Sequence, residues 1–319
     1  MRAGGRVLEV LAKPLNTQVL RAHGEGWQRL SGIQERAGWS AEATLRGAVK
    51  ALCEIGALEK QRLRGQRGSG VATALTSAGV EMLVVARVLE KWLAACPKGP
   101  IDIDGSYAGT AVNALAHGWN SALVRAVASA PHTLTELSAL IPELSYPALE
   151  RRLSWMRTTG QIVALERQSG GTPYVPTEWL RRAIAPLAAA GRWEKRYLDD
   201  APPITDVEVE TGFLLSMPLV HVTPDAHGTC TLASQTDPVE PDDESPGLAG
   251  VAIRVERGTI VSYDLRIDEE PRTWALAPTG DWLDALIDGS FQTLRVGGAD
   301  PQLAIDLVDG LHCSLSINR

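Results

Sequence analysis

Paired cysteines are missing from this chain. Cys53, Cys96, Cys230 and Cys313 stand far apart in 319 residues, with no Cys-x-x-Cys, which argues against a zinc knuckle and against a redox pair. The six histidines include His227 near Cys230 and His312 beside Cys313, but no third group completes a nucleophilic set at either place, so both read as structural. Gly65–Gly70 and Gly297-Gly298 lack the lysine-serine/threonine tail of a phosphate loop. No stretch reaches the roughly 18 apolar residues of a membrane span, and no apolar run precedes an N-terminal cleavage site. These absences lead to the expectation of a cytoplasmic chain that is not an enzyme, holds no metal and no cofactor, and has no membrane partner.

What is present is a repeat. Shifted by 104 positions, the first 200 residues match their own apolar skeleton: Arg21 falls on Arg125, Leu30 on Leu134, Ile33 on Leu137, Leu45 on Leu149, Val49 on Leu153, Leu52 on Met156, Gly56 on Gly160 and Leu58 on Ile162. Beyond a variable stretch the offset becomes 101, with Thr76 on Thr177 and Trp92 on Trp193. A period this long indicates a duplicated domain, since solenoid units run to about 20–50 residues.

In the first copy, 16–23 reads as a helix and 30–36 as one or two helical turns ended by Gly38. Ser40 is expected to cap a third helix, on which Leu45, Val49, Leu52 and Ile55 share a face until Gly56 stops it. Residues 57–64 and 71–75 read as strands around a Gly-rich turn, and a long helix runs from Ser77 to about Ala95. The second copy predicts helices at 121–129, 134–140 (Thr133 as cap) and 146–159 (Ser145 as cap), a hairpin at 162–167 and 174–175, and a closing helix at 178–197 kinked by Pro186. Three helices, a ribbon and a closing helix make a winged helix-turn-helix. The expected fold class is α+β: two tandem winged helix-turn-helix domains, 1–98 and 99–198, followed by a smaller α/β sandwich-like ligand domain, 199–319.

Ser145-Tyr146-Pro147-Ala148-Leu149-Glu150-Arg151-Arg152-Leu153, then Gly160-Gln161-Ile162 and a hairpin ending Tyr174-Val175-Pro176-Thr177, resembles the HxlR-type winged-helix regulators. Leu75-Thr76-Ser77-Ala78-Gly79 of the first copy supplies the family's Leu-Thr-x-x-Gly. The resemblance covers about 6–198 and implies DNA binding. The Cys-Pro usual near the start of such domains is absent from both copies, so redox sensing does not transfer.

Charge divides the same way. Residues 1–98 carry net +7, residues 99–198 net +2 and residues 199–319 net −16, within a total of −7. Phosphate affinity follows local cations. Candidate DNA contacts in the first copy are Thr44, Arg46 and Lys50 on the third helix and Lys60, Arg62, Arg64 and Arg67 on the wing. In the second copy they are Ser145, Tyr146, Arg151 and Arg152 on the helix, with Arg157 one turn on, and Arg167 as the wing's one cation. Recognition helices read base edges and wings suit phosphates or the minor groove. Any one of these charges alone reads as solvated surface; the pattern as a whole favours double-stranded DNA, more strongly for the first copy. Glu42 and Glu150 would repel phosphate unless aimed at a base.

Residues 80–93 are apolar nearly all round, so that helix needs cover on several sides. In HxlR-like proteins it contributes to the homodimer contact. Here Ile184, Leu187 and Trp193 offer a partner in the same chain, which predicts an internal pseudo-dimer, as a monomer or as a dimer of chains, and an asymmetric operator.

After the linker at 199–203, residues 235–247 read as an exposed acidic loop. The succession Trp-Leu-x-x-Leu-Ile-x-Gly (282–289), Leu-Arg-Val-Gly-Gly (294–298) and a terminal helix is similar to sterol-carrier-protein-like domains. That resemblance implies a curved sheet and helices enclosing an apolar tunnel, lined by Phe213, Leu214, Met217, Trp274, Trp282, Leu286 and Phe291; the same residues also suit a plain core. The expected function is a one-component DNA-binding regulator whose C-terminal domain senses a hydrophobic small-molecule effector and opposes DNA through its negative charge. The alternative is a lipid or small-molecule binding protein whose winged helices contact proteins.

Overall fold

The chain is mixed α+β with several small sheets. The computed structural model describes residues 3–23, 26, 28–37, 42–63, 70–113, 115–116, 121–166, 171–236, 248–268 and 270–315. Among the described residues no helix is long and apolar enough to cross a membrane. The chain forms two compact units: Met1–Ala95, Gly99–His117 and Ala189–Ala201 make the first, and Cys96–Lys98, Gly118–Ala188 and Pro202–Arg319 the second.

The first unit opens with helices α1 (Gly5–Leu11) and α2 (Pro14–Ala22), then strand β1 (Gln28–Arg29), α3 (Leu30–Ala37) and α4 (Glu42–Glu54). Strands β2 (Leu58–Leu63) and β3 (Gly70–Leu75) follow, then α5 (Ser77–Ala94) and α6 (Ser106–Asn113). The sheet order is β1-β3-β2, both pairs antiparallel. Val19, Leu20, Ile33, Leu45, Val49 and Leu52 are buried together with Met82 and Leu89 of α5, so the apolar periodicity of each helix is used on one shared core. Gly56 ends α4 at φ 80°, a left-handed conformation that glycine adopts without steric cost.

In the second unit the same order recurs. Helices α7 (Ser121–Ser129), α8 (Leu134–Leu140) and α9 (Tyr146–Thr159) precede the pair β4 (Ile162–Ala164) and β5 (Tyr174–Pro176). Gly160 closes α9 at φ 83°. Where the first copy pairs Gln28 with Thr73, the second has a single antiparallel bridge between His132 and Tyr174; the offsets of 104 and 101 carry one pair onto the other. The closing segment is α10 (Glu178–Arg182) and α11 (Ile184–Tyr197), broken at Ala183. Pro186 has no N–H to give and crowds the carbonyl four residues back, so the expected kink is a break three residues upstream of the proline. Thr133 caps α8 in a full capping box with Glu136. Ser145 takes the N-cap position of α9 but makes no side-chain cap bond, and the Ser40 cap lies outside the described residues.

The rest of the second unit contains α12 (Asp206–Ser216), β6 (Gly228–Gln235), β7 (Leu248–Glu256), β8 (Thr259–Asp264), β9 (Thr273–Pro278), α13 (Thr279–Asp288), β10 (Arg295–Gly298) and α14 (Pro301–Leu315). The sheet runs β10-β9-β6-β7-β8; β6 and β9 are parallel and every other pair is antiparallel. The β7–β8 turn places Arg257 at φ 51° and Gly258 at φ 72°, the two successive positive angles of a type I′ hairpin. Asp300 accepts from the Leu303 N–H at 3.2 Å, with Pro301 opening α14.

Candidate nucleic-acid interface

Two helices and one ribbon hold the candidate DNA contacts. On α4, burial of Leu45, Val49 and Leu52 turns Thr44, Arg46 and Lys50 outward, and all three are exposed. Both cations are paired on their own helix: Arg46 lies 2.7 Å from Glu42 and Lys50 3.6 Å from Glu54, each four residues apart. The exposed face of α4 therefore carries two positive and two negative charges. On β2, Lys60 and Arg62 are exposed, share one face of the strand and sit opposite Thr73 and Val71 in the ladder. Neither has an ion-pair partner among the described residues. Arg64 and Arg67 lie outside the described residues, as does Arg167 of the second wing.

On α9, Leu149, Leu153 and Met156 are buried, and Tyr146, Glu150, Arg151, Ser154 and Arg157 form the exposed face, with Arg152 half-buried. Among the described residues none of the three arginines has an ion-pair partner. The spacing explains it, because three and four positions from Arg151, Arg152 and Arg157 stand only uncharged residues. No acidic residue lies in the first turn of α9, whereas α4 begins at Glu42. The exposed Ser145 hydroxyl bonds no helix N–H. The pairing of α4 is the feature that reading cations one by one misses; Glu42–Arg46 and Lys50–Glu54 are i,i+4 spacings visible in the sequence.

Within the first unit, α5 packs against the 189–197 part of α11. Trp193 donates its indole N–H to the Ala78 carbonyl at 2.7 Å, and Arg196 pairs with Glu81 at 2.8 Å. Helices α1 and α6 also touch, and a Cβ on Gly109 would stand 2.8 Å from the Ala12 carbonyl oxygen. Glu194, 1 % exposed, accepts from the Gly4 and Val7 N–H groups at 2.8 and 2.9 Å. Burial pushes its carboxyl pKa up, with the Val7 and Gly4 N–H groups pulling the other way.

In the second unit α12 presents two faces. Val209, Phe213 and Met217, just past its end, belong to or pack on the core of the five-stranded sheet. Glu210 pairs with Arg125 of α7, and the Thr211 hydroxyl donates to the Ser121 carbonyl. Arg181 of α10 reaches the carbonyls of Leu214 and Leu215 at 3.4 and 3.5 Å, and burial lowers its pKa. Of the tunnel candidates, Phe213, Met217, Trp282, Leu286 and Phe291 gather in one cluster. Phe213 and Trp282 meet edge to face at 5.3 Å, and the Trp282 indole donates to Ala233 at 2.7 Å. Leu214 lies four residues after Glu210, on the side of α12 that meets α7. Trp274 alternates with the core-facing Ala275 and Ala277 and stacks under Arg295 at 5.9 Å, so the sheet separates it from the other five. A cavity of about 260 Å³ is bordered instead by Thr231, Arg254, Asp264, Asp268 and Arg272. Burial pushes the nearby Cys230 thiol up to about 12, which leaves it inert.

No family model matches this chain, and no curated protein matches it in sequence.

Proposed function

We propose that this chain is a one-component transcriptional regulator and not an enzyme: two winged helix-turn-helix copies hold double-stranded DNA, and a sterol-carrier-like C-terminal domain senses a hydrophobic small molecule. The observation that carries this reading is the succession of three helices and a two-stranded ribbon found twice, at an offset of 104 that becomes 101 past the ribbon turn, with exposed cations on the third helix or the ribbon of each copy. A helix with a buried apolar stripe and an outward row of Arg, Ser and Tyr suits a major groove, and a basic ribbon suits phosphates. The contact of α5 with α11 supports the internal pseudo-dimer, because it occupies the apolar helix within one chain.

Sensing requires that the effector bind the DNA-competent and DNA-incompetent forms unequally. Helix α12 supports such a coupling: Phe213 and Met217 lie in the C-terminal core, while Glu210 and Thr211 hold α7, the first helix of the second copy.

The test is a mobility shift of the purified chain on DNA upstream of its own gene, titrated with salt and competitor. Specific retention that weakens with salt, and that survives competitor DNA, is the expected outcome. Absence of binding at every salt concentration overturns the reading and leaves the C-terminal domain as the place to look for function.

A further inference from the structure

The two copies share a skeleton but offer DNA different chemistry. We propose that they divide the contact: the second copy lays α9 against the duplex, and the first holds the phosphate backbone through β2, while its α4 face contributes no net charge. This rests on the DNA-binding reading above.

Four observations carry the division. Arg46 and Lys50 are each spent on a carboxylate of their own helix, so a phosphate approaching α4 meets a face of zero net charge. Arg151, Arg152 and Arg157 have no such partner among the described residues, and with Glu150 they give α9 a net charge of about +2, the term that sets counterion release. The helix ends differ in the same sense. A helix N-terminus carries partial positive charge and exposed N–H groups; at α4 Glu42 occupies the first turn, whereas α9 begins with exposed Ser145 and Tyr146 and no acid. On the first copy Lys60 and Arg62 have no ion-pair partner among the described residues and lie two residues apart on one face of β2, spaced to follow a backbone. Duplex DNA is the occupant that matches: a dense line of negative charge with a groove wide enough for one helix.

The experiment uses the full chain and a 30-base-pair mixed-sequence duplex, with affinity measured by fluorescence anisotropy across a series of salt concentrations. R151Q/R157Q is expected to weaken binding roughly tenfold per arginine at 0.1 M salt and to flatten the slope of log K against log[salt] by about 2. K60Q/R62Q is expected to flatten it similarly. The charge-balanced variant E42Q/R46Q/K50Q/E54Q should keep the wild-type slope. All these positions are exposed; R151K/R157K, which keeps the charge, should restore the slope and so separate charge from folding. A flattening in the four-site α4 variant equal to that of R151Q/R157Q, or no change in the latter, overturns the division and leaves DNA binding intact. A wild-type chain that binds no duplex at any salt overturns both.

Discussion

The first and second copies agree at most positions where side chains are buried and differ where they are not. Leu45 and Leu149 are both fully buried, Trp92 and Trp193 nearly so, and Gly56 and Gly160 turn at almost the same φ. Thr76 and Thr177 repeat a whole bonding pattern: the first hydroxyl donates to Gly56 and accepts from Gly79, the second donates to Gly160 and accepts from Leu180. The exposed faces of α4 and α9 share none of this. Packing constrains volume and conformation at each interior site, while the surface is free to carry a paired charge set in one copy and an unpaired one in the other. Equivalent folds therefore do not imply equivalent binding, and the charge on each face has to be counted with its partners.

The strongest way to break the comparison is at its buried half. L45A and L149A should each cost about 2–5 kcal/mol, the range for leucine truncation in a packed core. Denaturant unfolding of the two variants checks it; a loss confined to one copy would mean that the two interiors are not equivalent. A smaller effect is expected at Glu194, which has no counterpart, since the offset of 101 places Leu93 at the equivalent position. E194A strands the Gly4 and Val7 N–H groups that its carboxylate receives and should cost about 1–3 kcal/mol. The pH dependence has a definite sign. A carboxyl whose pKa is raised on folding favours the folded state fully below its ordinary range and loses that contribution as pH climbs through the raised value. Glu136 runs the other way: the Thr133 N–H and hydroxyl hold it below the ordinary range, so its contribution exists above that range and disappears on acidification. E194Q should remove the decline in stability above the ordinary carboxylate range, as followed by melting temperature against pH.

Apolar periodicity and glycine stops made most of the first 200 residues legible. The expected spans 30–36, 121–129, 134–140 and 146–159 agree with α3, α7, α8 and α9 to within a residue or so. The helix expected at 178–197 was legible in extent but not in its break at Ala183, because a proline disturbs the carbonyl behind it and not its own position. The C-terminal region was legible in part: α13, α14 and the β7–β8 hairpin carry caps, alternation and a tight turn, whereas β6 (Gly228–Gln235) is buried along most of its length and β9 (Thr273–Pro278) puts its small residues on the core face and its large apolar ones on the other, so apolarity does not mark the core face. The sterol-carrier-like resemblance places Trp274 among the tunnel residues; strand alternation puts it on the face away from Trp282. The compact units also cut across the three expected segments, since Ala189–Ala201 joins the first unit; that depends on contacts far apart in sequence, such as Trp193 with Ala78.

Next in size are the two threonines. T76A and T177A each remove an N-cap that also ties the closing helix to the glycine that follows α4 or α9, and each should cost about 1 kcal/mol. Serine at either position should restore most of the loss, because the hydroxyl makes these bonds. A threefold difference between the copies would show that the shared geometry hides unequal support.

The smallest effect lies at the pairs on which the division of labour rests. A double-mutant cycle on Glu42 and Arg46 should give a coupling of only about 0.3–0.5 kcal/mol, the usual worth of an exposed pair four residues apart. Lys50 and Glu54 should give less, since the cation precedes the acid and opposes the helix dipole, in keeping with their longer separation of 3.6 Å. These pairs are therefore too weak to hold α4 folded, and their removal should be invisible in stability. Their consequence is electrostatic: a phosphate sees the sum of both charges whether or not the pair is strong. E42Q/E54Q alone should thus leave the melting temperature unchanged while giving the α4 face a net charge of about +2, like that of α9. If α4 lies near the duplex, this variant should bind DNA more tightly and with a steeper salt dependence than the wild type; an unchanged affinity would place α4 away from the duplex altogether, with β2 as the first copy's one point of contact.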